Sequence, residues 1–151
     1  MKAKDFLNPG QREALVSCVR KAEMMTSGEI RIHIDNRCGE DPKEKALKTF
    51  HRLGMSQTVN KNGVLIYIAS ESRKFVVLGD KGINEVVPHD FWKDVSLVIA
   101  EHFATGDYVR GLEKAVLMIG EKLKAFFPYD ENADVNELSD DISIADEAEN
   151  N

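Results

Sequence analysis

NKNGVLIYIASESRKFVVLGDKG, residues 60–82, holds the two apolar runs whose order decides the fold. GVLIYIA is apolar throughout with no alternation, the pattern of a strand covered on both faces, and it belongs near the centre of a sheet. Ser70, Glu71 and Ser72 then form a connection too short for a crossover, so RKFVVLG must return antiparallel beside the first run. That return brings Gly79, Asp80, Lys81 and Gly82 to the edge where Asn60, Asn62 and Gly63 began.

Upstream, Glu29 to Asp35 reads EIRIHID and alternates strictly. Ile30, Ile32 and Ile34 point one way and Glu29, Arg31, His33 and Asp35 the other, which predicts a half-buried strand with a solvated polar face. Between this strand and GVLIYIA, Asp41-Pro42 opens a helix with Ala46, Leu47, Phe50 and Leu53 inward and a stop at Gly54. A strand–helix–strand unit of this length favours a right-handed parallel crossover. Asn8-Pro9 with Gln11 signals an earlier helix start, followed by Leu15, Cys18, Val19, Ala22 and Met25 at helical spacing. After the GDKG turn come a short helix at 83–87, a helix capped by Asp90, and a last helix capped by Asp107. Gly111 and Gly120 inside that last helix each cost about 1 kcal/mol relative to Ala, so close helix packing has to require them. The expected fold is α/β: a small mixed sheet sandwiched between helices on both faces.

With 151 residues, 42% of them hydrophobic, the chain suits one core. The expected organisation is one domain over 1–128 and an acidic tail over 129–151. Nine acidic residues and no Lys or Arg fall between Asp130 and Asn151, and removing them from the 26 leaves 17 against 20 basic residues, a formal +3 before the tail. With few large apolar residues the tail is expected to be disordered. No apolar stretch reaches the roughly 18–20 residues of a membrane span and no N-terminal apolar run suggests a signal, so the simplest expectations are no membrane insertion and a cytoplasmic location. Cys18 and Cys38 form no CxxC framework, and no basic cluster with interleaved aromatics supports nucleic-acid binding.

The strand directions gather Glu29, Asn62 and Asp80 at one sheet edge, with Glu85 just beyond, and leave His33, Asp35 and Ser70 at the other. Carboxylate and amide oxygens suit a hard divalent cation, Ca²⁺ or Mg²⁺. The same residues also read as ordinary turns and a solvated strand end. Asp107 joins the expected ligands if its T-G-D-Y turn swings toward Asp80, making the set Glu29, Asp80, Glu85 and Asp107. His33 reads as a partly exposed packing residue. No nucleophile elbow, phosphate-binding loop or zinc-protease motif is present, so the catalytic residues are undefined.

Taken in order, T-S-G-E-I (26–30), N-x-N-G-V-L-I (60–66), R-K-F (73–75), G-D-K-G-I (79–83) and F-A-T-G-D-Y-V-R-G-L (103–112) resemble the TPM domain. That family takes its name from a thylakoid-lumen phosphatase-like protein, a photosystem repair protein and a nematode receptor modulator. The resemblance covers residues 8–127 and implies a mixed sheet between helices. It further implies divalent-cation binding in some members, acid phosphatase activity in plant members, and assembly or repair of membrane complexes. The usual G-x-G-L-E-G turn is matched loosely by Gly79 to Asn84, where this chain is one residue longer and holds Asp80 and Lys81. Many members carry an export signal, a membrane helix and a Gly-rich tail, in place of which this sequence has its acidic tail. The resulting functional expectation is a domain that binds a divalent cation, with metal-dependent phosphomonoester hydrolysis as what the resemblance alone adds; the alternative is a non-catalytic module for protein interaction or assembly.

Overall fold

The computed structural model describes residues 1–129 and 142–145. Helix α1 (Pro9–Glu23) leads into β1 (Glu29–Asp35), α2 (Pro42–Arg52), β2 (Gly63–Ala69) and β3 (Lys74–Gly79). The one-turn α3 (Lys81–Asn84), α4 (His89–Ala104), α5 (Tyr108–Lys124) and the two-residue β4 (Ser143–Ile144) follow. The sheet order is β3-β2-β1-β4. β1 and β2 run parallel from Glu29↔Gly63 to Asp35↔Ala69, and β3 is antiparallel to β2. The expected mixed sheet with helices on both faces is the fold observed.

Local signals fix the helix ends. Asn8 and Gln11 form a reciprocal capping box with Pro9 at the first position, and the Asp41 side chain accepts from the Glu44 amide before Pro42. Gly54 ends α2 at φ +74, a backbone state that favours glycine. The other boundaries depart from expectation. α3 starts at Lys81 because Asp80 accepts from the Lys81 amide. Pro88, not Asp90, sits at the α4 N-cap, and Asp90 lies in the first turn.

Every residue of β2 is buried. On one face Val64, Ile66 and Ile68 join Ile30, Ile32 and Ile34 under α1, α4 and α5. On the other, Leu65, Tyr67 and Ala69 meet Ala46 and Phe50 of α2, with Cys38 and Met55. This second cover overturns the solvated polar face expected for β1: Glu29, His33 and Asp35 are buried beneath it. The tail also departs from expectation where it is described. Ile142 and Ala145 are buried, β4 pairs parallel with His33 and Ile34, and Arg12 donates to the Ile142 carbonyl at 2.8 Å. The rest of the expected disordered tail lies outside the described residues.

Gly111 and Gly120 serve the close packing expected of them. A Cβ on Gly111 would lie 2.6 Å from His102 Cβ on α4, and one on Gly120 would lie 3.0 Å from Ala22 Cβ on α1. At Gly111 the obstacle is attached directly to helical backbone and cannot swing away. Gly111→Ala gains about 1 kcal/mol of helix propensity but incurs overpacking of about 1–3 kcal/mol, so a net loss of stability is expected, read as a lower urea midpoint with unchanged slope.

Candidate functional site

At the N-terminal ends of β1 and β2, the loop 60–63 and the turn 79–82 are laced together by backbone bonds. Glu29 N–H donates to Asn62 O, Asp80 N–H to Gly63 O and Gly82 N–H to Lys61 O, at 2.9–3.2 Å. Gly82 is required here, since a Cβ would overlap the carbonyl oxygens of Asn60 and Lys61. Asp80 Oδ1 accepts from the Lys81 amide at 2.7 Å, while Asp80 Oδ2 and Asn62 Nδ2 are buried without a hydrogen-bond partner. A buried orphan carboxylate oxygen is costly unless something compensates it. Glu29 is buried at the start of β1 and already engaged in the fold, and Glu85 is exposed at the end of α3.

Asp107 does not join them. α4 starts near Trp92, whose ring crowds Gly79, and ends with Phe103 packed 5.7 Å from Phe75 at the start of β3. The turn into α5 therefore lies at the Ser70 end of the sheet, opposite Asp80. Asp107 occupies the α5 N-cap position without a side-chain cap and stands 3.8 Å from Arg110. Among the described residues no three of His, Cys, Asp and Glu converge to hold a metal ion. The four carboxylates expected to act together are thus split between both ends of the sheet.

The Ser70 end carries a polar cluster. His33 Nε2 donates to Asp35 Oδ1 at 2.8 Å, Tyr67 O–H donates to Asp35 Oδ2 at 2.6 Å, and His33 Nδ1 lies 2.7 Å from Ser143 Oγ. His33 is 2% exposed, against the partial exposure expected, because α2 and β4 cover it. Burial opposes the charge on Asp35, but the hydrogen bonds from His33 and Tyr67 outweigh it and hold the carboxyl below its usual range. Burial first, then the bond to Asp35, raises the Tyr67 hydroxyl above its usual value. Every strong acceptor here is satisfied, and the cluster has the geometry of a structural clamp.

A sequence profile described as the TPM domain matches residues 1–122. The chain belongs to the TPM domain family. A search of curated proteins finds no match. Among solved structures, the BA42 protein of the psychrophilic bacterium Bizionia argentinensis is similar at 40% identity, with a TM-score of 0.88 over 93% of this chain and 97% of that one. The N-terminal domain of a protein from P. gingivalis matches at 22% identity and TM-score 0.62, over 82% of this chain and 80% of the other. The N-terminal domain of the cg2496 protein of Corynebacterium glutamicum matches at 11% identity and TM-score 0.54, over 93% and 80%. The last two show the fold alone.

Sequence reasoning placed His33, Asp35 and Ser70 at one end of this TPM domain but missed their network. The signal was Tyr67, a hydroxyl within an otherwise aliphatic buried run, which needs a partner. Tyr67→Phe leaves Asp35 Oδ2 without its donor and is expected to lower stability at pH 7 by about 1–3 kcal/mol in urea unfolding. The native Asp35 pairing contributes stability that is complete above the unfolded value near 3.8 and lost as acid titrates the folded group. Tyr67 acts in the opposite limb: above its unfolded value near 10 the unfolded chain ionises first, so stability falls there, and this alkaline loss shrinks in the Phe variant.

Proposed function

We propose that this TPM domain binds a divalent cation, Ca²⁺ or Mg²⁺, at the Asp80 turn. The observation that carries this reading is the buried, unpartnered Oδ2 of Asp80. Hard cations take carboxylate and carbonyl oxygens together with water, and Asp80 is flanked by the carbonyl-bearing loop 60–63. Exposed Glu85, one turn of helix away, is the candidate second carboxylate, and buried Glu29 starts β1 at the same end of the sheet. Asp107 belongs to the other end and leaves the ligand set. With one or two carboxylates, affinity falls on the order of 10⁻⁴ to 10⁻³ M, the weak end for such sites.

In an NMR titration of the full chain with Ca²⁺ and Mg²⁺, saturable shifts are expected at the amides of residues 80–85 and at Asn62, and Asp80→Asn abolishes them without unfolding. Shifts confined to the acidic tail would refute the site. A bound cation supplies a polarised phosphoryl oxygen and an acidified water, which is the chemistry a phosphatase reading requires. Turnover of a generic phosphomonoester that disappears in Asp80→Asn supports that reading; saturable cation binding with no turnover above blank leaves a binding domain.

A second reading, a module for a protein partner, is favoured by β3. This strand closes one side of the sheet, is only half-buried, and has no strand on its outer side among the described residues. An extended partner segment can add there through main-chain bonds.

A further inference from the structure

At the Ser70 end, between the β2–β3 turn and the α4–α5 turn, lies a cleft of about 520 Å³. Its apolar wall is a run of touching rings: Phe6 lies 4.7 Å from Tyr108 and 5.9 Å from Phe103, and Phe75 packs edge-on to Phe103 at 5.7 Å. Its volume falls within the range of small-molecule sites, which are largely apolar with few charged groups.

Those groups are Arg73 and Lys74, both exposed and both lining the cleft. Neither has a carboxylate partner among the described residues, although acids stand close in sequence. Glu71 is occupied by Lys2 at 3.3 Å and Arg37 at 3.0 Å. Asp107 stands by Arg110. Among the described residues two cations are thus left without a carboxylate beside an apolar chamber, and Arg73 is held at φ +55, the left-handed state that closes the short β2–β3 connection.

We infer that this cleft binds a small amphipathic anion, a carboxylate or phosphate monoester on an aliphatic body, with its head at Arg73 and Lys74 and its chain against the aromatic wall. A bare inorganic anion leaves the rings in water and meets two exposed, well-hydrated cations. A neutral hydrocarbon leaves the cations without a partner. The match of chamber and charge selects a ligand carrying both features, and the site is independent of the Asp80 turn at the other end of the sheet.

The test is an NMR titration of the full chain, below micelle-forming concentrations, with hexanoate, octanoate, decanoate and octyl phosphate. Octanol, acetate and inorganic phosphate serve as controls. Saturable shifts are expected at Ser70, Arg73, Phe75, Ala104 and Gly106, and each added pair of methylenes tightens binding roughly tenfold until the cleft is full. The double variant Arg73→Gln/Lys74→Gln weakens octanoate at least tenfold and leaves octanol unchanged. Ala100→Leu, a helix-compatible change that fills the cleft, weakens octanoate and octanol alike. Whichever of octanoate and octyl phosphate binds more tightly identifies the head group. Octanoate binding no more tightly than octanol, affinity independent of chain length, or shifts that fall outside these residues would overturn the inference.

Discussion

A strand buried on both faces exists only between two covers, and β2 imposes that requirement on the whole molecule. All seven of its residues are buried. One face takes the thick cover of α1, α4 and α5, where glycines let the helices approach closely. The other takes the thin cover of α2 and the Met55 turn. The thin side then determines the fate of β1, which shares the sheet plane: its polar side chains are shut away with Leu65 and Tyr67 and must find partners inside.

Asp35 is where that requirement is most acute. A carboxylate removed from water is tolerated when its oxygens are saturated by donors, and here Tyr67 and His33 serve one oxygen each. The imidazole hands the network on to Ser143, so the short tail strand is joined to a buried charge as well as to the β1 backbone. Packing of Ile142 and Ala145 completes the attachment. Removing one member would leave an uncompensated polar atom in the thin layer, which is why the group behaves as a unit.

The sheet was legible because its evidence was local: an unbroken apolar run, a three-residue connection, and cap residues at Asn8, Asp41 and Gly54. Alternation in EIRIHID identified the polar face correctly, but alternation cannot say whether such a face meets water or a second layer, and so His33 was misjudged. The tail strand was illegible for a different reason. Ile142 to Ala145 are short and lie among acids, and only the unpaired edge of β1 makes a strand of them. Asp107 was assigned to the wrong end because the direction in which α4 crosses the sheet is set by packing of Trp92 and Phe103, which spacing does not encode. The cleft follows from the same crossing.

The two sides of the sheet end differently. On β1, Glu23 Oε2 accepts from the Ile30 amide at 2.9 Å, and farther along Ala145 N–H donates to Ile34 O. A carboxylate and a borrowed strand therefore occupy bonding positions on that side, and among the described residues the outer strands of the sheet are the six-residue β3 and the two-residue β4. An added strand would therefore meet six residues of backbone along β3 but only two along β4.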